Sequence, residues 1–349
     1  MAMIRALKAL FALLLARLPE PAAALWFAGR RRVYEGRRIE ARAQAIGEMG
    51  LAARDPSARL TPETMRKAYR DGRKVLDTPG PAMVLRQDAG IPGPAGDIPV
   101  RVYDAEDNAL MSTAQRPTLV YLHGGGWVIG DLDTHEGACA RLAAASGARV
   151  LAVEYRKAPD HPFPAAPDDV LAVHDWIEAK GATFGIDPRR LAYAGDSAGG
   201  NLTAVLMHDL AAAGRSLPKA QILIYPATDL NMTGPIFEDL ANAYVLPPAL
   251  CTWFRDQYLP AGARQDDPRV SPMMSPHLGQ QPPAFIITAG HDVLRPQGEA
   301  YAEALKAAGV AVTYEEAEGL VHGFINFNAA LPTSEAALRR MGEWLKARL

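Results

Sequence analysis

The stretch around Ser197 constrains the fold more than any other part of the sequence. Residues 195–200 read Gly-Asp-Ser-Ala-Gly-Gly, a G-x-S-x-G pattern with Ser197 at its centre. Residues 190–194 before it, Arg-Leu-Ala-Tyr-Ala, predict a short buried strand. Apolar residues at helical spacing follow it: Leu202, Val205, Leu206 and Leu210. This order predicts a sharp strand-to-helix turn that exposes the serine Oγ, because the flanking glycines let the backbone reverse closely.

Predicted strands alternate with predicted helices from residue 80 onward, which indicates an α/β fold with a mostly parallel sheet covered by helices on both faces. The first two strands, Val84–Asp88 and Ile98–Tyr103, flank a Gly/Pro-rich turn and read as an antiparallel pair. Later strands are predicted at Thr118–Leu122, Arg149–Tyr155, Arg190–Ala194, Gln221–Tyr225, Ala284–Ala289 and Val312–Ala317. Helices are predicted at Glu136–Ala145, Asp168–Glu178, Ala198–Ala213, Gly298–Ala308 and Ser334–Arg348.

Two regions interrupt this alternation. Residues 1–75 have a helical pattern, with Thr61-Pro62 as a helix start. Residues 229–280 lie between two strands and are rich in proline, methionine and aromatic residues. Because insertions at the carboxyl ends of strands lie over the ligand crevice of an open α/β sheet, both regions are candidates for a lid.

Composition narrows the function classes. The 349-residue chain is 49% hydrophobic, which allows a sizeable core. Its net charge of -2 argues against a nucleic-acid-binding surface. Cys139 and Cys251 are the only cysteines, so no disulfide framework is expected and a cytoplasmic location is favoured. No cluster of Cys and His has metal-ligand spacing, so the sequence predicts no metal site. The oligomeric state stays open, with a homodimer compatible with the sequence.

The N-terminal segment is both apolar and basic. Residues 1–42 contain nine Lys or Arg against three Glu, a net charge of +6, which leaves -8 for the rest of the chain. Lys8, Arg17 and Pro19 exclude a membrane-spanning helix. Three interpretations stay open: a helix that packs on the protein itself, weak contact of residues 1–40 with an anionic membrane surface, and a signal for export.

A serine nucleophile needs a base, an acid that orients the base, and hydrogen-bond donors for the oxyanion. Residues 123–127 read His-Gly-Gly-Gly-Trp and directly follow a predicted buried strand. Consecutive glycines leave backbone N–H groups unobstructed by side chains. We therefore predict that the N–H groups of Gly125, Gly126 and Ala198 form an oxyanion hole.

Asp292 and His322 are the predicted acid and base. Each follows a predicted strand, so both lie at the edge of the sheet where the loops converge on Ser197. Asp292 would hold the imidazole tautomer, and His322 would take the Ser197 proton and return it to the leaving group. The rival acids Asp267 and Glu299 rank lower, because the first falls in the lid region and the second inside a helix.

Two neighbours of these residues receive structural interpretations. The side chain of Asp196 is expected to point away from the nucleophile into structural hydrogen bonds. His291 adjoins Asp292 and cannot easily face it as the base, so it is interpreted as solvent-facing. Apolar residues expected to line the substrate pocket are Trp127, Val245, Leu246, Trp253 and Phe254.

Five motifs stand in fixed order along the chain. They are His123-Gly-Gly-Gly-Trp127, the Tyr-Arg-Lys-Ala-Pro-Asp-His-Pro-Phe-Pro-Ala stretch at 155–165, Gly195-Asp-Ser-Ala-Gly-Gly200, Asp292-Val-Leu-Arg295 and His322-Gly-Phe324. Together they resemble the bacterial hormone-sensitive-lipase-like esterases (family IV, GDSAG subgroup). In these motifs the chain departs from the usual residues of the family at Lys157, Asp160 and Val293.

The resemblance implies an α/β-hydrolase core of about eight strands, no cofactor, and hydrolysis of short-to-medium acyl esters. With an acyl-enzyme on Ser197, this describes a serine carboxylesterase acting on a small-molecule ester. The resemblance also implies a helical cap, which divides the chain into an N-terminal cap segment at 1–60 and a core at 61–349, with 229–280 inserted as the second cap segment. An amidase or an interfacial lipase using the same residues is the alternative.

Overall fold

The structure, a computed structural model, describes residues 2–54, 59–106 and 115–349. Residues 55–58, within the predicted N-terminal cap segment, lie outside the described residues. Eight strands form the main sheet: β1 (Leu85–Gly93), β2 (Gly96–Asp104), β3 (Arg116–Leu122), β4 (Arg149–Val153), β5 (Ile186–Asp196), β6 (Ala220–Ile224), β7 (Ala284–His291) and β8 (Val312–Val321). Their number confirms the predicted sheet size.

The strand order is β1-β2-β4-β3-β5-β6-β7-β8. The strands β1, β2 and β4 pair in antiparallel fashion, and every pair from β4 to β8 is parallel. The predicted antiparallel start and the mostly parallel remainder are both confirmed. The carboxyl ends of β3, β5, β6, β7 and β8 therefore meet at one edge of the sheet, where the predicted site residues lie.

Eleven helices are described: α1 (Ala2–Arg17), α2 (Glu20–Trp26), α3 (Ala41–Ala53), α4 (Pro62–Leu76), α5 (Glu136–Ser146), α6 (Ala165–Lys180), α7 (Ala198–Ala212), α8 (Ile236–Asp239), α9 (Pro248–Tyr258), α10 (Arg295–Ala307) and α11 (Pro332–Lys346). The predicted start of α4 is confirmed in detail. Thr61 is its N-cap, and the Thr61 and Thr64 side chains bond reciprocally to each other's backbone N–H.

The two faces of the sheet are covered by different helices. Along β3, Leu119 and Tyr121 join one buried cluster with residues of α5 and α11, whereas Val120 and Leu122 join another with residues of α6 and α7. This alternation follows from the two-residue period of a strand and explains why residues 119–122 of the strand are all hydrophobic. The core thus consists of two apolar layers with the sheet between them.

Helix α1 packs on α3 through one side only. Ala12, Leu15 and Ala16 are buried there. The carboxylate of Glu20 accepts hydrogen bonds from the backbone N–H groups at the start of α3, which fixes α2 against it. The described residues include no helix with the length and apolar character needed to cross a membrane.

Candidate active site

Ser197 lies in the turn between β5 and α7, in a backbone conformation that L-residues rarely adopt. Its φ is 55° and its ψ is -116°. A Cβ on Gly195 would come within 2.2 Å of the Gly199 carbonyl oxygen, and a Cβ on Gly199 within 1.9 Å of the Leu122 carbonyl oxygen. Both glycines of the motif are therefore required by backbone-to-backbone contact. The Ser197 N–H donates to the Ile224 carbonyl at 2.8 Å, which ties the turn to β6.

The structure brings Ser197, His322 and Asp292 into one hydrogen-bonded chain. The His322 Nε2 lies 2.9 Å from the Ser197 Oγ, and the His322 Nδ1 lies 2.6 Å from the Asp292 Oδ2. This arrangement suits an imidazole that donates from Nδ1 to the carboxylate and accepts the serine proton at Nε2. All three side chains are buried, with Asp292 only 1% exposed.

Asp292 is held in place by the start of the segment after β7. Its Oδ1 accepts a hydrogen bond from the Leu294 N–H at 2.9 Å, leaving Oδ2 for His322. The ring of His322 in turn lies against the ring of Tyr225, with 4.6 Å between the ring centroids. The Asp292 carboxylate and the His322 imidazole are thus each positioned by a group that takes no part in the hydrogen-bonded chain.

The glycine loop after β3 faces Ser197. Gly125 and Gly126 have φ values of 122° and 58°, and both line the same cavity as Ser197. Across the described residues, the backbone N–H groups of Gly125, Gly126 and Ala198 donate to no acceptor. These three N–H groups are available to an oxygen atom bound beside Ser197, as an oxyanion hole requires.

Asp196 anchors this loop, as its structural interpretation predicts. Its Oδ1 accepts hydrogen bonds from the Tyr121 hydroxyl and from the Gly124 N–H, each at 2.8 Å. Burial alone would raise the pKa of Asp196, but His135, the Tyr121 hydroxyl and the Gly124 N–H together lower that pKa to about 2. A buried carboxylate that stays ionised can hold the loop at neutral pH.

The segment after β4 shows why two departures from the family's usual residues are tolerated. Lys157 pairs with Glu154 and also donates to the Gly130 carbonyl at 2.9 Å. Asp160 accepts from the Arg66 guanidinium at 2.8 Å. Arg66 also donates to the Val128 carbonyl, next to the glycine loop. Both charged residues therefore brace the loop, and neither contacts Ser197.

A cavity of about 130 Å³ opens beside Ser197 and His322. Of the five apolar residues predicted to line the substrate pocket, four line this cavity: Trp127, Val245, Leu246 and Phe254. The prediction for Trp253 is wrong: it is absent from the cavity wall and meets the ring of Phe254 edge-on. On helix α9, Phe254 lies on the same face as Leu250 and Cys251, which also line the cavity, and Trp253 lies off that face.

Helix α4 supplies a wall of the cavity that sequence reasoning missed. Met65, Tyr69 and Arg73 line it from positions four residues apart, which places them on one helix face. That spacing is visible in the sequence but does not differ from an ordinary helix packed on a core. Helix α4 begins at Pro62, two residues after the predicted end of the N-terminal cap segment.

Arg73 is buried beside the loop that carries His322. Its guanidinium donates to the Asn326 carbonyl at 2.9 Å and lies over the rings of Tyr69 and Phe327, 4.4 and 4.8 Å from their centroids. Its partners in the described residues are thus a carbonyl and two aromatic faces. Arg73 connects helix α4 to the turn Phe324–Asn326, which begins two residues after His322.

His291 is buried, contrary to the solvent-facing interpretation. Strand β7 continues to His291, two residues beyond its predicted end, and pairs there with Val321 of β8. Burial lowers the pKa of His291 to about 4, so this imidazole is neutral near pH 7. The sequence did not reveal the longer strand because Gly290 and His291 look like the start of a loop.

The sequence is similar to those of known hydrolases. A family model described as alpha/beta hydrolase fold matches residues 119–326, which contain Ser197, Asp292 and His322. Carboxylic ester hydrolase LipN of Mycobacterium tuberculosis is 37% identical over 354 aligned residues, covering 95% of this chain and 89% of LipN. Carboxylesterase NlhH of the same organism is 40% identical over 250 residues, covering 70% of this chain and 76% of NlhH.

Solved structures give the same result. The crystal structure of an alpha/beta hydrolase enzyme from the metagenome of Lake Arreo, Spain, has a TM-score of 0.81 and 37% sequence identity to the chain, covering 87% of it and 96% of the solved chain. A thermostable esterase from Pseudomonas putida has a TM-score of 0.83 at 30% identity, covering 89% of this chain and 98% of that one. The similarity extends well beyond the immediate surroundings of Ser197.

Proposed function

The chain belongs to the α/β-hydrolase family of hormone-sensitive-lipase-like esterases and is a carboxylic ester hydrolase, and on that premise we propose that it cleaves short-to-medium acyl esters through an acyl-enzyme on Ser197. The observation that carries this proposal is the hydrogen-bonded chain from Ser197 Oγ through His322 to Asp292. It ends beside three N–H groups without an acceptor among the described residues.

The proposed mechanism has two halves. In the first, the Ser197 Oγ attacks the ester carbonyl carbon while its proton passes to His322 Nε2, and Asp292 stabilises the resulting imidazolium. The oxyanion accepts hydrogen bonds from the N–H groups of Gly125, Gly126 and Ala198. The imidazolium then gives its proton to the departing alcohol oxygen as the carbon–oxygen bond breaks, which leaves the acyl group on Ser197.

In the second half, water takes the place of the alcohol. His322 removes a proton from the water as it attacks the acyl carbon, and the same proton returns to Ser197 when the carboxylic acid leaves. The cavity supports small acyl groups, since about 130 Å³ is well below the roughly 300–1,000 Å³ of sites for drug-sized ligands. Its lining is mainly apolar, which suits a hydrocarbon chain.

We also propose that residues 1–60 and 229–280 form the cap, with helix α4 as part of it. Two contacts support this grouping. The Tyr244 hydroxyl bonds to Glu48 at 2.5 Å, and Arg32 donates to the Asn242 carbonyl at 2.7 Å. The two free, buried cysteines support a reducing, cytoplasmic location.

The test is Ser197→Ala, assayed with a series of p-nitrophenyl esters from acetate to laurate. We expect the variant to lose turnover by about 10⁴-fold or more, because no other group can form the acyl-enzyme. For the unchanged protein we expect a maximum at short-to-medium chains. An unchanged circular dichroism spectrum is the control for folding. Turnover retained by the folded variant would overturn the proposal, and cleavage of matched amides at rates close to the esters would favour an amidase.

A further inference from the structure

Helices α1 and α2 present an apolar face to solvent. Nine of the fifteen large hydrophobic residues exposed in the described parts of the chain fall within residues 3–26. We call these nine residues the N-terminal face: Met3, Ile4, Leu7, Leu10, Phe11, Leu14, Leu18, Leu25 and Trp26. Soluble proteins scatter exposed apolar residues singly, so a contiguous face of this kind marks an interaction surface.

The face is a regular feature of a helix held firmly on the protein. Its members on α1 recur every three or four residues, while Ala12 and Ala16 on the opposite side are buried. The Arg17 guanidinium donates to the Val75 carbonyl, and the Arg42 guanidinium donates to the Ala16 carbonyl. Helix α1 therefore has one side committed to the protein and one apolar side without a partner in the described structure.

Charge around the face identifies its partner. Residues 1–42 carry a net charge of +6 in a chain whose other residues carry -8. Lys8 and Arg30 are both exposed within this segment, and Arg30 lies over the ring of Trp26. A second copy of the chain docked on this face would bring two of these positively charged segments together, where their like charges would repel. A surface that has anionic groups above an apolar layer would complement both the exposed apolar residues and the positive charge around them.

We propose that the N-terminal face docks the protein on the surface of a membrane that contains anionic lipids. Helix α1 has 16 residues, so it is about 24 Å long and shorter than the roughly 30 Å of a hydrocarbon core. It would lie in the plane of the interface, with Leu7, Leu10 and Leu14 in the acyl boundary and the basic side chains at the headgroups.

Docking would bring the cavity close to the membrane. If the protein is an esterase, as proposed above, esters dissolved in the lipid then become candidate substrates. Helix α1 packs on α3, whose Gly47 sits against the ring of Tyr244. Val245, which follows Tyr244 in the chain, lines the cavity and is 39% exposed. Helix α3 therefore lies between α1 and a residue next to the cavity wall, so docking through α1 would place this side of the cavity near the lipid.

The test is co-sedimentation of the full chain with phosphatidylcholine vesicles, with and without phosphatidylglycerol. We expect binding to the vesicles that contain phosphatidylglycerol, at least about tenfold tighter than to phosphatidylcholine alone. Binding should weaken as salt rises from about 0.1 M to about 1 M, because the Debye length falls from about 10 Å to about 3 Å. The double substitution Leu7→Glu with Leu14→Glu should reduce binding about tenfold or more, because it places two charges in the acyl boundary.

The matched control is Val84→Glu, which adds a charge at an exposed apolar residue outside the face. It should bind vesicles like the unchanged protein. Because the α1 variant could disturb folding, Leu25→Glu on α2 provides a second test of the same face. Hydrolysis of a water-soluble acetate ester checks that each variant is folded, and a protein that binds vesicles without any turnover would refute the esterase function but not the docking.

Two results would overturn the proposal. One is equal, salt-independent binding of the unchanged protein and the Leu7/Leu14 variant to vesicles. The other is a dimer in sedimentation equilibrium that these substitutions dissociate, with no vesicle binding by the unchanged protein. The second result would assign the face to a second copy of the chain.

Discussion

The turn around Ser197 and the two proposed cap segments, residues 1–60 with helix α4 and residues 229–280, are held by different kinds of contact. At the turn, the Cβ positions of Gly195 and Gly199 are occupied by backbone atoms of neighbouring elements. In the cap regions, by contrast, most glycines have no atom within 4 Å of that position: Gly29, Gly36, Gly50, Gly72, Gly234 and Gly262. The site is fixed by close approach of main chains, and the cap is fixed by side chains between distant segments.

This difference determines what a substitution can do. Main-chain atoms fixed by the hydrogen bonds of a strand or a helix cannot move aside, so the turn admits one residue type at each glycine. The cap shows the same crowding where its two segments meet, since a Cβ on Gly47 would fall within 2.1 Å of the Tyr244 ring. Here, however, the obstacle is a side chain. We therefore expect large effects from substitutions at the turn and small, selective ones in the cap.

The largest expected effect is that of Gly199→Ala compared with Gly72→Ala. Both glycines lie in helices, but the new methyl group at residue 199 would meet the Leu122 carbonyl oxygen at 1.9 Å. We expect Gly199→Ala to lose about 3 kcal/mol of stability or more, and turnover by about 10²-fold or more as Ser197 shifts. Gly72→Ala should gain about 0.5–1 kcal/mol, because alanine favours a helix.

Urea denaturation and turnover of p-nitrophenyl acetate measure both variants. If the Gly199→Ala protein were as stable and as active as the Gly72→Ala protein, the turn would accommodate a side chain at residue 199 as easily as helix α4 does at residue 72. The distinction between the two regions would then fail.

The same contrast explains what could be predicted from the sequence. The alternation of apolar strand and helix patterns predicted the sheet. The glycines on either side of Ser197, which close contact between main chains requires, made the turn recognisable in the sequence. Asp292 and His322 followed because parallel strands end at one edge. Strand ends were less accurate. Strand β5 runs from Ile186 to Asp196, whereas only residues 190–194 were predicted, because Asp187 and Arg189 are charged and Pro188 has no N–H to donate in a sheet.

The cap could not be predicted to the same depth, because its contacts leave no motif. Tyr69 and Arg73 line the cavity, yet their spacing occurs in any amphipathic helix. The orientation of helix α9 decides that Phe254 lines the cavity and its neighbour Trp253 does not. That orientation depends on packing against residues far away in the chain. Similarly, the sequence left open whether α1 packs on the protein, and the structure shows that one side does.

A smaller effect is expected from Asp196→Asn compared with Asp256→Asn in the cap. The pKa of the buried Asp196 falls from 3.8 to about 2 on folding, so its ionised form contributes about 2 kcal/mol at pH 7. Asp256 pairs with Arg255 at the surface, where its side chain is 58% exposed, and such pairs contribute about 0–1 kcal/mol. Asp196→Asn should therefore lower the urea midpoint clearly, and Asp256→Asn barely.

The contribution of Asp196 to the free energy of unfolding should depend on pH. The folded state binds the proton of Asp196 more weakly than the unfolded state does, so this stability is complete above pH 3.8 and is lost as the pH falls towards 2. The difference in the free energy of unfolding between the Asp196→Asn variant and the unchanged protein should shrink by about half near pH 3. A difference that stays constant down to pH 3 would mean that the charge of Asp196 plays no part.

The smallest expected effect is a change of selectivity on replacing Phe254, with Trp253 as its matched control. Phe254→Ala removes a ring from the cavity wall, so longer acyl chains should fit, and Trp253→Ala leaves the wall intact. One methylene group more or less in a hydrophobic pocket changes selectivity by about 1–3 kcal/mol. The ratio of kcat/KM for octanoate esters to kcat/KM for acetate esters should therefore rise about tenfold for Phe254→Ala. For Trp253→Ala it should change by less than about threefold.

The ratio is the right measure, because Phe254 also lies against the glycine loop after β3. A Cβ on Gly126 would come within 2.3 Å of its ring, so Phe254→Ala can slow both esters equally by loosening that loop. Dividing the two rates removes this common factor and leaves the effect of cavity size. Equal ratios for both variants would mean that the cap does not set the acyl length, and the walls built by β3, β5 and their loops would then define the substrate as well as the chemistry.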